Sequence, residues 1–196
     1  DLSVRHYQEM AENHRVDFFL GPYSSGLVIP ASNIAEQYAI PMVQGGGSSS
    51  EIFGRGYKYI FGTVPSSSDY LKPAIELFAA AGADTIALIY ADDAFSIEVA
   101  EGANNWAREH GLEIVLAERY ADAQTEFGEL IAKLRELNPD VVMSANHSVE
   151  AMAFVQQARS LGLESDLVFT VGVPTPEFLE LGSAAERVCG VAHWVE

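Results

Sequence analysis

One cysteine, Cys189, occurs in 196 residues, so no intrachain disulfide can form and cysteine pairing carries no information about redox compartment. Within the strand-like RVCGVAHW it is expected to be a small core residue. Basic residues are scarce. Eleven Lys and Arg stand against 28 Asp and Glu, a net charge of −17, which argues against phosphate backbones and anionic membranes as partners. No apolar run is long enough to cross a bilayer, and the opening DLSVRHYQEM lacks the shape of a secretion signal. There is no GxxxxGK followed by Ser or Thr, and no GxGxxG opening a helix after a strand, so a nucleotide is not expected. Neither HxxxH nor an EF-hand pattern is present, and neither a metal nor a cofactor is predicted. The string GPYSSG is not a GxSxG elbow, and no spacing ties His147 and the Asp92-Asp93 pair to a serine as a catalytic set.

What is present is enough apolar material for a real core, 48% of residues against 20% charged. Eight apolar runs have strand length: 16–20, 39–43, 57–62, 84–90, 112–120, 140–145, 166–171 and 187–194. Amphipathic helical patterns alternate with them, which predicts an α/β fold of parallel sheets covered on both faces. Three helices close on a glycine suited to the left-handed C′ position, in AAAGAD, REHGLE and RSLGLE. Thr175-Pro176-Glu177 supplies an N-cap, a first-turn proline and an acid for another helix. The seam FGTVPSSSDYLKP interrupts the rhythm and restarts a helix near Asp69. It divides the chain into lobes at 1–66 and 67–196.

Ligands of open parallel sheets bind beyond the carboxyl ends of the strands. There the first lobe places small residues and hydroxyls, GPYSSG after residue 20 and QGGGSSS after residue 43. The second places Ala91-Asp92-Asp93-Ala94-Phe95, Asn146-His147-Ser148 and Gly172-Val173-Pro174-Thr175. Glycines with serines at a strand end let backbone N–H groups and hydroxyls hold an anion of one carboxylate's size. The competing reading of QGGGSSS, a flexible linker or plain turn, conflicts with strands lying within about a dozen residues on both sides. His147 at a helix start reads more simply as a capping or surface residue, Asp92 and Asp93 as helix caps, and Trp106 and Phe154 as core.

The order GPYSSGLVIPASNIAEQYAIPMVQGGGSSSEIFGRGYKYIF resembles the first lobe of the type I periplasmic binding proteins of branched-chain amino-acid transporters. The segment YADAQTEFGELIAKLRELNPDVVMSA resembles part of that family's second lobe. The resemblance implies two Rossmann-like lobes, of which the first is incomplete here, with any secretion or lipid-anchor signal lying upstream. It implies no catalysis, but capture of a small carboxylate by closure about hinges near 63–68 and Trp194, outside the cytoplasm, and delivery to a membrane permease of the ABC class. By position the carboxylate falls to Ser25, Gly46 and Ser48, with Tyr23 and Gly47 beside them. The second lobe contributes Phe95, Asn146 and the loop at Val173.

The family's acid for an α-ammonium is missing from that loop, where no acid precedes Glu177. A buried ammonium needs a partner. Either Asp92 or Asp93 serves a hydrophobic amino acid, or the ligand is an amine-free aromatic or aliphatic acid. A ligand-sensing domain of a receptor or regulator is the second class, and an α/β hydrolase, which would need a nucleophile and base in contact, is the third.

Overall fold

The computed structural model describes residues 2–14, 16–171, 173 and 175–192. Backbone proximity divides the chain into two compact units, Asp1–Ser67 and Ser68–Glu196.

In the first unit, α1 (Leu2–Glu9) runs into a π-helical turn (Met10–His14), followed by β1 (Phe19–Leu20), α2 (Ser25–Gln37), β2 (Met42–Gln44), α3 (Ser50–Phe53) and β3 (Ile60–Gly62). The strands are parallel, in the order β1-β2-β3. Phe19, Met42 and Ile60 face Val28, Ala31 and Ala35 of α2 and Tyr7 of α1 in one buried cluster. The other face is bare. Leu20, Val43 and Phe61 lie side by side in register, and all three are exposed. Cover on both faces is therefore not met here, because α1 and α2 pack on the same side.

The second unit contains α4 (Lys72–Ala80), β4 (Thr85–Ala91), α5 (Ala94–Glu109), β5 (Glu113–Tyr120), α6 (Gly128–Leu137), β6 (Val141–Ala145), α7 (Ser148–Ser160), β7 (Asp166–Phe169) and β8 (Val188–Gly190). All five strands are parallel, ordered β5-β4-β6-β7-β8. Alternation along β4 builds two cores. Ile86 and Leu88 join Ile75, Val99 and Ala103 on the α4 and α5 side, while Ala87 and Ile89 join Ile131, Phe154 and Val155 on the α6 and α7 side. This sheet is covered on both faces.

Gly82, Gly111 and Gly162 take left-handed φ of 90°, 74° and 74° at the helix ends. Asn138 does the same after α6, at φ 48° and ψ 55°. Two expectations change. The helix begun by Pro176 is a 3-10 helix, Pro176–Ala185, broken at Gly182, and Cys189 is exposed rather than in the core. β8 is the last strand of its sheet, with β7 as its one neighbour, which leaves Cys189 uncovered. The continuation of that strand through His193 and Trp194, the hinge expected at Trp194, and Gly172 and Pro174 lie outside the described residues.

Candidate functional site

Gln44 ends β2 with its side chain fully buried and folded over the loop that follows. Its Oε1 accepts the N–H groups of Gly46 at 3.2 Å and Gly47 at 2.6 Å, and its Nε2 donates to the Gly47 carbonyl. The next two N–H groups, of Ser48 and Ser49, both donate to Ser25 Oγ at 3.2 Å. Four successive donors thus converge on two oxygens, which is the geometry of a backbone nest. The chain supplies those oxygens itself. Gly46 N–H, predicted to face a ligand, is occupied by Gln44. Ser48 Oγ lies 2.8 Å from Ser67 Oγ, and one O–H of that pair donates to the other. Ser25, Ser48 and Ser49 are all buried.

Glycines clear the space for this arrangement. A Cβ on Gly21 would overlap Gln44 Cβ, one on Gly62 would come within 2.5 Å of the Phe53 ring, and one on Gly46 within 2.8 Å of Tyr23 Cα. Ser24 precedes α2 at φ 86° and ψ 149°, a region that costs a residue other than glycine about 1–3 kcal/mol. It is held there by its N–H on the Gly46 carbonyl at 3.1 Å and by its own carbonyl, which accepts from Leu27 and Val28. Tyr23 itself is exposed.

In the second unit Asp93 caps α5. Its Oδ1 accepts from the N–H groups of Phe95 at 2.9 Å and Ser96 at 3.1 Å, and its Oδ2 from the Ser96 hydroxyl at 2.6 Å. His147 Nε2 lies 3.7 Å from Oδ2. Burial works against the Asp93 charge, but His147 and the Ser96 bonds outweigh it and hold the carboxyl below its ordinary range. In return Asp93 holds the His147 imidazole above its ordinary 6.5, against the effect of burial, with Glu150 and Asp122 adding to the field. Phe95, predicted to meet a ligand, is 5% exposed. It stacks edge-on with Tyr70 at 5.0 Å and lies 5.7 Å from the His147 ring.

A group raised on folding stabilises fully below its unfolded value and ceases to as pH rises through its folded value. The His147 contribution is thus complete below about pH 6.5 and fades above it. The depressed Asp93 contributes above its ordinary 3.8 and fades only as pH falls through its lower folded value. In urea titrations, the stability gap between the native protein and His147→Gln is expected to narrow between pH 6 and 8.5. A gap independent of pH would mean that the pair does not couple.

Asp92 points elsewhere. It pairs with Arg119 at 3.3 Å, both side chains about half exposed. Asn146, directly after β6, is fully buried, and among the described residues neither its Oδ1 nor its Nδ2 has a partner. Its backbone is tied instead, N–H to Thr170 Oγ1 at 3.0 Å and carbonyl from the same hydroxyl at 3.2 Å. Glu150, also buried, accepts from the N–H groups of Ala123 at 3.1 Å and His147 at 3.0 Å. Val173 packs against the core on the α6 and α7 side.

Within the first unit the structure brings Ser25, Gly46, Gly47 and Ser48 together; within the second, Asp93, Phe95 and His147. Gln44, Ser67, Thr170 and Glu150 were not foreseen. Gln44 had a signal, a polar residue ending an apolar strand, and Glu150 had one in its place on the first turn of α7. A separate cleft of about 680 Å³ beside β5 and α6 contains Arg119 and Lys133, already paired with Asp92 and Glu118. Among the described residues no group of three His, Cys, Asp or Glu side chains is placed to hold a metal, and no helix is long and apolar enough to cross a membrane.

A family model described as periplasmic binding protein matches residues 1–196. The Leu/Ile/Val-binding protein homolog 8 of Brucella abortus (strain 2308) is 31% identical over 156 residues, 75% of this chain and 39% of the relative. A solute-binding protein of an ABC transporter from R. palustris, solved with benzoate, superposes with a TM-score of 0.88 at 18% identity, over 98% of this chain and 54% of that one. An ABC transporter substrate-binding protein of Desulfitobacterium hafniense, solved with Leu, superposes with a TM-score of 0.74 at 23% identity, over 87% and 51%. The chain spans less than half the length of the Brucella relative.

Proposed function

Because this chain belongs to the periplasmic binding protein family, we propose that it is part of the solute-binding component of an ABC importer, working outside the cytoplasm. It captures a small carboxylate-bearing ligand and hands it to a membrane permease, with no bond made or broken. The observation that carries this reading is the Gln44-braced loop. Four N–H groups are spent on holding its shape, so the buried hydroxyls of Ser25 and Ser48 are presented rigidly and without a lysine beside them. Hydroxyl donors suit a carboxylate that must be released again, where a fixed cation would hold it longer. Gly46, Gly47 and Tyr23 shape this loop; Phe95, Asn146, Asp93 and Val173 are the second unit's candidate ligand-binding residues.

A hydrophobic or branched-chain amino acid is the leading cargo, in keeping with the name of the Brucella relative and the Leu-bound neighbour. One observation favours the second reading, an amine-free aromatic or aliphatic acid. Asp93 already accepts three hydrogen bonds and faces His147, and Asp92 is paired with Arg119. An ammonium would therefore meet no idle carboxylate from either, and the benzoate-bound neighbour shows that this fold takes such acids.

The test is thermal unfolding of the full-length protein with aliphatic amino acids, aromatic amino acids and amine-free acids. A ligand at 100 times its Kd adds about 2.7 kcal/mol to the folded state, and the matching class is expected to raise the Tm by several degrees. A rise with amino acids alone removes the second reading. No rise with any carboxylate overturns the proposal.

A further inference from the structure

We infer that the chain crosses between its two units on a hinge of one peptide link, Ser67–Ser68, with the rest of the seam at 63–68 held fast on one side of that link or the other. The boundary between the units falls at the same link. Each neighbour of the link is fastened within its own unit, so the hinge does not depend on what the protein binds.

On the first side, Thr63 is tied to the end of β2, its N–H donating to the Gln44 carbonyl at 3.1 Å and its hydroxyl to the same oxygen at 3.4 Å. Ser67 is fully buried and tied twice to Ser48. Its N–H donates to the Ser48 carbonyl at 3.0 Å, and the two hydroxyl oxygens lie 2.8 Å apart as a hydrogen-bonded pair. Between these fastenings Pro65 has its φ locked by its ring. Residues 63–67 therefore move with the first unit.

On the second side, the Ser68 carbonyl accepts from Trp106 Nε1 at 3.1 Å. Its Cα and carbonyl group lie so close to α5 that a Cβ on Gly102 would overlap them. Further on, Leu71 is fully buried in the core on the α4 and α5 side, and Lys72 Nζ lies 3.9 Å from the Trp106 ring. From Ser68 onward the chain moves with α5.

Two soft torsions are left, ψ of Ser67 and φ of Ser68, because the peptide bond between them is planar. Rotation about any other torsion from Thr63 to Ser68 either pulls on the bonds at Gln44, Ser48 or Trp106 or fails to pass beyond them. Rotation about these two spares all of those bonds. The turn across the link, Ser67–Asp69, is a 3-10 helix, a form with poorer hydrogen-bond geometry than the α-helix that serves as a connector.

Pulsed spin-label distance measurement on the full-length protein tests this, with labels carried on keto-bearing residues at Glu9 and Glu136, which are exposed on α1 and α6. Ser68→Gly frees the link and is expected to widen the distance distribution by about 1.5-fold or more. Trp106→Phe, which removes the bond to the Ser68 carbonyl, is expected to widen it too. Pro65→Gly frees the stiffest residue of the seam, yet the width is expected to stay native because Thr63 and Ser67 hold both ends. Ser68→Ala, which deletes the hydroxyl without loosening the backbone, is likewise expected to keep the native width. If Pro65→Gly widens the distribution as much as Ser68→Gly, the bend is spread along the seam and the inference is overturned. Widening by Ser68→Ala equal to that of Ser68→Gly overturns it as well, since the hydroxyl would then be the fastening. A native width in Ser68→Gly puts the bend elsewhere, and this comparison decides even if Trp106→Phe does not fold.

Discussion

Gln44→Leu is expected to lower carboxylate affinity by at least about 100-fold and to destabilise the protein by about 3 kcal/mol or more. The variant keeps the side-chain volume but deletes the acceptor of Gly46 N–H and Gly47 N–H and the donor to the Gly47 carbonyl. All three belong to a loop packed too closely for water to replace Gln44. A Cβ on Gly47 would already lie 2.8 Å from both Val28 and Ile52. Each buried polar group left unmatched costs about 1–3 kcal/mol, which sets the lower bound of the stability loss. Affinity falls for a different reason. Ser48 leaves its place when the turn before it relaxes, and a loop that must be reordered on binding forfeits its preorganisation.

Gln44→Glu separates the two effects. It retains an acceptor for the two N–H groups, so more of the stability survives, but it sets a negative charge beside the proposed carboxylate site. Urea unfolding and calorimetry on both variants read the outcomes independently. A Gln44→Leu protein that binds its carboxylate as well as the native one would show that the loop after β2 is not the carboxylate site.

Much of this arrangement can be read from residues alone, and the rest resists for identifiable reasons. Strand positions follow from apolar runs flanked by glycine-closed helices, and Gly82, Gly111 and Gly162 take left-handed φ where the pattern demands it. Strand length is less legible. VDFFL yields only the two residues Phe19–Leu20, because β1 has β2 as its one partner and a run of apolar residues does not say how many neighbours will bond it. Cys189 shows the same limit, since nothing local distinguishes an end strand from a central one.

At the candidate site, residue type singles out these loops but not the division of labour within them. Glycine and serine after β2 announce a nest, yet which oxygen fills it depends on Gln44 turning back over the loop through the gap that Gly21 leaves. Phe95 illustrates the reverse. Its place after β4 matches a ligand-facing aromatic, while Tyr70, far away in sequence, packs against its ring.

Gly102→Ala is expected to destabilise the protein by about 1–3 kcal/mol, although alanine is the better helix former by about 1 kcal/mol. Gly102 lies inside α5, where it is buried. A Cβ there would collide with the carbonyl group and Cα of Ser68, which are backbone atoms with no rotamer to yield. The Ser68 carbonyl also accepts from Trp106 Nε1 at 3.1 Å, and the Trp106 ring lies 3.9 Å from Lys72 Nζ in a cation-π contact. Making room for one methyl group therefore moves either α5 or the chain at Ser68, and the tryptophan bond goes with it. Overpacking of this kind costs about 1–3 kcal/mol, the lost hydrogen bond about 1 kcal/mol, and the gain in helix propensity offsets only part. Gly128→Ala is the control, because a Cβ at the first position of α6 meets no atom within 4 Å. Urea midpoints are expected to fall clearly for Gly102→Ala and to hold or rise for Gly128→Ala. If both variants hold, α5 does not rest on the Ser68 backbone, and glycine at position 102 is there for some reason other than close approach.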